Sequence, residues 1–317
     1  MQAIVFTKYG PPEQMQLREV PKPVPKDNEV LIKIHATAIN DWDWSLVRGE
    51  PYIYRLLFGI LKPKNHIPGI ELSGTIVAVG SNVSTFKEGD EVYGDISEYG
   101  WGSFAEYISI NEKSMTLKPT KMTFEEAAAI PHAAMLAYQG LIELGNIQKG
   151  QKVLINGAGG GVGTLGIQIA RQYDSEVTGV DTGDKLKMME SVGFDHIIDY
   201  KEQDFTKSGL KYDLILDAKT TRSPAAYART LNPAGKYVTV GGNLPRIVQL
   251  LISRKLGRKN MFMVAIRQNK DLAYINQLYE EGKFKPVIDG PYKLSETPGL
   301  FRYFGEGKHK GKVIITP

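Results

Sequence analysis

One stretch constrains this 317-residue chain more than any other: Asn156-Gly157-Ala158-Gly159-Gly160-Gly161-Val162-Gly163. It follows directly on the apolar run Val153-Leu154-Ile155 and leads into Thr164 to Tyr173, where Val162, Leu165, Ile169 and Ala170 recur at helical spacing. A strand, a glycine turn and a helix in that order aim backbone N–H groups at one point, and the absence of side chains lets a pyrophosphate come close. A literal G-x-G-x-x-G occurs only at Gly161, Gly163 and Gly166, too far into the helix to be the turn. Two registers fit instead: Ala158-x-Gly160-x-x-Gly163 and Gly157-x-x-Gly160-x-x-Gly163. They make Gly157, Ala158, Gly160, Gly161, Val162 and Gly163 the candidate dinucleotide contacts.

The neighbouring pattern supports that placement. Val177 to Val180, Ile197-Ile198, Leu214 to Leu216 and Tyr237 to Val240 are short aliphatic runs separated by helix-length polar segments. They predict a βαβ array whose parallel sheet is covered on both faces, with Met261 to Ile266 as a further strand. From Met1 to about Thr120 the texture differs. Ala3 to Phe6, Val30 to Ile34, Thr75 to Val79, Glu91 to Tyr93 and Phe104 to Ile110 are strand-like runs cut by Gly, Pro, Asn and Asp, which predicts a β barrel or sandwich. A helix over Lys270 to Glu281 leads to strand candidates at Pro286 to Ile288 and Lys312 to Thr316, a tail expected to fold back on the first part. Two domains follow, as the length suggests: a doubly wound α/β domain over 126–266 and a β-rich domain over 1–125 plus 267–317.

Composition narrows the chemistry. The chain has no cysteine, which removes disulfides, thiolate nucleophiles, iron–sulfur clusters and cysteine-ligated zinc. Its histidines, His35, His66, His132, His196 and His309, show no spacing that builds a metal site and read as surface or hydrogen-bonded core residues. A net charge of +4 argues against nucleic acid as a partner. The apolar stretch Ala127 to Ile142 is interrupted and too short for a membrane span, and the amino terminus lacks the marks of a secretory signal, so a cytoplasmic, soluble protein is expected.

At the end of the strand after the turn stands Asp181, roughly 20 residues past the glycines, where an acid grips a ribose 2′-hydroxyl and repels a 2′-phosphate. Lys185, four residues on, instead suits that phosphate. Asp181 and Asp184 have a plainer reading as caps of a helix starting near Lys185.

Taken together, several co-linear motifs resemble the zinc-free quinone oxidoreductase-like branch of the medium-chain dehydrogenase/reductase superfamily. They are Asn40-Asp41-Trp42-Asp43-Trp44-Ser45-Leu46-Val47-Arg48-Gly49, Ile67 to Gly74, Phe86 to Gly94, Ala127 to Leu141 around Pro131, and Gly160 to Gly163. The resemblance implies a Rossmann domain joined to a GroES-like β-barrel-type catalytic domain. In zinc-dependent relatives the metal ligands fall at places occupied here by Asn40, Ile70 and Ala133, none of them a useful zinc donor. Without a Lewis acid, hydride transfer favours acceptors that are already electron-poor, such as quinones and α,β-unsaturated carbonyls. Asn40 is then expected beside the nicotinamide or the acceptor carbonyl, with a turn role as its alternative, and an Asp43–Arg48 ion pair is expected to shape the site floor or to serve a purely structural role. Tyr52 and Tyr54 lie where relatives place substrate-contacting aromatics and are candidate proton donors, or else packing residues. Lys185 and Tyr200 match positions toward the 2′-phosphate and adenine, Gly241-Gly242 match the turn along the nicotinamide ribose, and Lys312 matches a position facing the cofactor cleft. The branch leans to NADPH and Asp181 leans to NADH, so NAD(P)H is expected with NADPH ahead and no zinc.

The leading expectation is therefore a metal-free NAD(P)H-dependent reductase of quinones or activated enones acting on a small molecule. A zinc-independent alcohol or aldehyde oxidoreductase, or a non-catalytic dinucleotide-binding protein, would share the same fold. The edge strand at Met261 to Ile266 is expected to join two copies as a homodimer.

Overall fold

The computed structural model describes residues 1–242 and 244–317. The chain divides into two compact units. The first comprises Met1–His132, Gln268–Glu280 and Ile288–Pro317, and the second Ala133–Arg267 and Glu281–Val287. The first crossing falls at His132, within the helix Pro131–Tyr138, and Glu281–Val287 returns to the second unit although its sequence texture groups it with the first.

The second unit is built on a six-stranded sheet. From edge to edge it runs His196–Asp199, Glu176–Asp181, Lys152–Asn156, Tyr212–Asp217, Leu231–Thr239 and Met261–Met263. Every pairing is parallel. Val153, Leu154, Ile155, Leu214, Ile215 and Leu216 are all 0% exposed, which is why the two central strands read as unbroken apolar runs rather than alternating ones. The order is that of a Rossmann sheet, and the chain reverses its direction of growth between Lys152–Asn156 and Tyr212–Asp217. Such a reversal opens a crevice at the carboxyl ends of the two strands. The edge strand is shorter than Met261 to Ile266, because its partner ends at Thr239, opposite Met263, and offers no ladder beyond.

The first unit carries a mixed seven-stranded sheet. Its spine is the ten-residue strand Glu29–Ala38, which pairs antiparallel with Glu71–Val79, Tyr107–Asn111 and Lys312–Thr316. Glu91–Asp95 continues the sheet beyond Glu71–Val79, and Ile288–Lys293 lies parallel to Lys312–Thr316, so only Ile288 of the expected Pro286 to Ile288 strand is extended in the sheet. One apolar core gathers Ile4, Phe6, Ile39, Leu46, Phe104, Phe301 and Val313, and a second gathers Val30, Ile32, Leu72, Ile76, Val92 and Ile96. Among the described residues no helix is long and apolar enough to cross a membrane.

Candidate functional site

In the second unit the glycine turn sits at the sheet's reversal. Gly157 and Ala158 donate their N–H groups to the Val180 carbonyl at 2.9 and 3.1 Å, and Gly159 donates to Asp181 Oδ2 at 2.9 Å, so the turn is sewn to the next strand. The helix Gly161–Arg171 starts earlier than Thr164 because the Thr164 N–H reaches the Gly160 carbonyl at 3.0 Å and closes the first helical bond. Gly160 precedes it and has no side chain with which to cap it. A helix leaves its first-turn amides without acceptors inside the helix, so Gly161, Val162 and Gly163 present N–H groups at the positive end of the dipole. A Cβ on Gly163 would lie 2.4 Å from the Ala158 Cα and 2.5 Å from its carbonyl oxygen, and one on Gly159 would lie 2.7 Å from the Lys185 stem. Glycine at these places is a packing requirement, and it leaves an anion-binding cradle that suits a diphosphate.

Asp181 and Lys185 belong to the structure of that cradle. Both are buried, their charged atoms lie 3.6 Å apart, and Asp181 Oδ1 also accepts the Thr182 N–H at 3.0 Å. Asp184 precedes the helix Lys185–Val192 but makes no side-chain cap, so the capping account does not hold for it. Tyr200 donates its backbone N–H to the Asp181 carbonyl while its ring stays 44% exposed, and burial together with Asp181 and Asp199 raises its hydroxyl pKa. Gly241 and Gly242 follow the strand Leu231–Thr239 at φ +151° and +154°, and a Cβ on Gly242 would strike the Thr220 side chain at 2.5 Å.

In the first unit a second constellation forms around Asn40. The register that sets Ile314 opposite Ala38 brings Lys312 opposite Asn40, and Lys312 Nζ donates to Asn40 Oδ1 at 2.6 Å. The same ammonium pairs with Glu71 Oε1. Glu71 lies directly across the sheet from Asp95, and His132 bridges the two acids. Its backbone N–H donates to Glu71 Oε2 at 2.8 Å and its ring Nδ1 meets Asp95 Oδ2 at 2.7 Å. Burial pushes the Asp95 carboxyl up, but the His132 ring and its charge outweigh this and hold it below the usual range. Burial likewise depresses His132, and its bond to Asp95 outweighs that and raises it. Asp43 is fully buried and accepts the N–H groups of Asn40 at 2.9 Å and Gly69 at 3.0 Å. Desolvation pushes its pKa up to about 7, with Glu71 adding to the rise and the Asn40 N–H, Lys312 and His132 opposing it.

The expected Asp43–Arg48 ion pair is not formed. Arg48 pairs with Glu50 and lies over the Trp44 ring, because Asp43 faces inward from the first turn of the helix Asp41–Arg48 and spends both oxygens on backbone donors. Tyr54 stacks on Trp42 with centroids 5.3 Å apart, and Phe58 and Trp101 complete a half-buried aromatic cluster. Tyr52 instead turns outward under Arg55 and is 69% exposed.

Comparison with known proteins assigns the chain. Residues 26–120 match the alcohol dehydrogenase GroES-like domain, and residues 192–315 match the zinc-binding dehydrogenase family. Over 100% of its length the chain is 34% identical to the 2-methylene-furan-3-one reductase of Solanum lycopersicum, covering 79% of that protein. The chain belongs to the medium-chain dehydrogenase/reductase superfamily. Within it the quinone oxidoreductase-like branch is the match. The chloroplastic NADPH-dependent alkenal/one oxidoreductase of Arabidopsis thaliana is 32% identical over 100% of this chain and 80% of its own. The solved quinone oxidoreductase from Coxiella burnetii superposes with a TM-score of 0.87 at 26% identity, over 100% of this chain and 99% of that one.

One matched family is described as zinc-binding, yet the donors here do not suit zinc. Asn40 spends its amide oxygen on Lys312, Ile70 is a buried hydrocarbon, and Ala133 has no donor at all. Among the described residues no group of three His, Cys, Asp or Glu side chains is arranged to hold a metal ion. The sequence did hold a signal for Glu71 and Asp95, which went unassigned, and for the ion pair that Lys312 makes. Glu71 opens an apolar strand, Asp95 ends one, and Lys312 begins Lys-Val-Ile-Ile-Thr. A charge inside a buried strand must find a counter-charge.

Proposed function

We propose that the chain is a metal-free reductase that uses NADPH to reduce quinones and α,β-unsaturated carbonyl compounds. The observation that carries this reading is the uncapped helix start at Gly160 to Gly163, set at the reversal of the parallel sheet, where Gly163 has no room for a side chain. When bound, the reduced nicotinamide supplies a hydride, which carries two electrons to the electron-poor carbon, and a proton from solvent completes the product. The chain's own part is to bind and orient. Gly157, Ala158, Gly160, Gly161, Val162 and Gly163 hold the diphosphate, Tyr200 and Gly241-Gly242 border the adenosine and the nicotinamide ribose, and Asn40 offers its amide to a ligand carbonyl. The Gly159 amide and Lys185 offset the charge of Asp181, which lifts its repulsion of a 2′-phosphate, and the NADPH-dependent alkenal/one oxidoreductase among the relatives supports NADPH over NADH. The half-buried wall of Trp42, Tyr54, Phe58 and Trp101, which begins two residues from Asn40, suits a planar conjugated acceptor. The names of the two plant relatives, a furanone reductase and an alkenal/one oxidoreductase, agree with that acceptor class. The edge strand Met261–Met263 joins two copies as a homodimer.

Cofactor absorbance tests the reading when NADPH and NADH are followed in parallel against quinones, enones and saturated aldehydes, with and without a chelator. Oxidation of NADPH by quinones and enones, unchanged by chelation, is expected. Tight NADPH binding with no turnover on any acceptor would overturn it.

A further inference from the structure

The buried ion pair behind Asn40 has a charge arrangement that a purely structural strut does not need. Lys312 is 5% exposed and Glu71 is 0% exposed, so neither charge is solvated and each depends on the other. The ammonium forms an ion pair with Glu71 Oε1 and donates an N–H to Asn40 Oδ1. With its oxygen turned to the ammonium, and set toward the Asp43 N–H in a capping box, the Asn40 amide keeps its NH2 group as the donor it can offer a ligand. Among the described residues the Asn40 Nδ2 meets the Ala38 carbonyl at 3.4 Å, which is a long contact. Asn40 itself is held by its backbone, whose N–H is fixed on Asp43.

We propose that Lys312 and Glu71 are positioning residues that hold the Asn40 amide by its oxygen and strengthen its NH2 as a donor to the carbonyl oxygen of the acceptor. The proposal rests on the reductase reading above. Negative charge grows on that oxygen as hydride arrives at the conjugated carbon, and a donor polarised by an ammonium directly behind it stabilises that charge more than it stabilises the neutral carbonyl. Glu71 balances the charge of the ammonium and keeps it in place, so that the effect acts through Asn40. His132, bonded to both Glu71 and Asp95, fixes the carboxylate in turn.

A mutant cycle tests this. Asn40→Ala is expected to lower kcat by about 100-fold, the usual loss for one donor at a developing oxyanion. Lys312→Met is expected to lower kcat by about tenfold or more, leaving KM for the acceptor within a few-fold and the NADPH Kd, read by fluorescence titration, unchanged. Because Lys312 acts through Asn40, the double variant is expected to be no slower than Asn40→Ala alone. Lys312→Met strands a buried carboxylate, so the paired variant Glu71→Gln with Lys312→Met, which removes both charges, serves where the single variant unfolds, and the same loss of kcat is expected from it. Equal losses from Lys312→Met in the wild-type and Asn40→Ala backgrounds would overturn the proposal, as would a large rise in NADPH Kd at constant kcat. A readout independent of turnover separates this proposal from the reductase reading. The side-chain amide nitrogen resonance that disappears in Asn40→Ala is expected to move in Lys312→Met, and its failure to move would sink the positioning role even in an active enzyme. A resonance that moves in a protein inactive toward every acceptor would leave the positioning intact and remove the reductase reading.

Discussion

Gly163 shows how much one missing methyl group decides. Its virtual Cβ falls 2.4 Å from the Ala158 Cα and 2.5 Å from the carbonyl oxygens of Ala158 and Gly157, all backbone atoms that cannot step aside. Gly163→Val is therefore expected to abolish measurable NADPH binding by fluorescence titration and to cost about 1–3 kcal/mol in urea unfolding. Gly299→Ala, in the helix Thr297–Gly305 where nothing lies within 4 Å, is the control expected to leave binding unchanged and stability undiminished. Asp43 makes a pH prediction at the same scale. Its pKa rises from 3.8 to about 7 on folding, chiefly through desolvation. A carboxyl raised on folding favours the native state most fully below its unfolded value, and that contribution fades as pH climbs toward the folded value. The stability of the wild type relative to Asp43→Asn is thus expected to fall by roughly 2–4 kcal/mol between pH 4 and 7 and to stay level above. Urea midpoints across that range check it, and a difference that grew with pH would contradict the burial account. The glycines were legible in the sequence because the close approach they permit is written next to the strand and helix that need it. The raised Asp43 was not, since desolvation comes from residues far along the chain.

Elements decide where these residues meet. The register between Glu29–Ala38 and Lys312–Thr316 delivers Lys312 to Asn40, and that between Glu71–Val79 and Glu91–Asp95 sets Glu71 across from Asp95. A slip of one residue in either would turn these side chains to the opposite face. Strand existence was readable from apolar runs, whereas ends depended on partners: Met261–Met263 stops where Leu231–Thr239 stops, and the helix Gly161–Arg171 begins where Gly160 first accepts a helical bond. The aromatic wall belongs to this scale as well. Trp42 on one helix meets Tyr54 and Phe58 from the two short helices that follow and Trp101 from a later loop. Trp42→Ala is expected to raise KM for an aromatic enone about tenfold while leaving a small aliphatic enal nearly unaffected, because only the flat acceptor loses a stacking face. Equal effects on both acceptors in steady-state assays would remove the wall from substrate selection.

For the whole molecule, the sheet of the second unit ends on a short strand whose outer backbone groups invite a second copy. Sedimentation at micromolar concentration is expected to give twice the chain mass for the wild type and the chain mass for Met263→Lys, which sets a charge on that edge at a residue 37% exposed. A wild type that sediments as a monomer would refute the pairing.

The amino-acid sequence alone determined the glycine turn, the parallel array that carries it and the absence of cysteine. Each of these depends on residues adjacent in the chain or on which side chains exist at all. Only the tertiary structure decided which charges are buried and what neutralises them. Asn40 and Lys312 stand 272 positions apart, and Glu71, Asp95 and His132 reach them from three other segments. The free energy that joins such groups arises from taking them out of water together, and no local pattern encodes that.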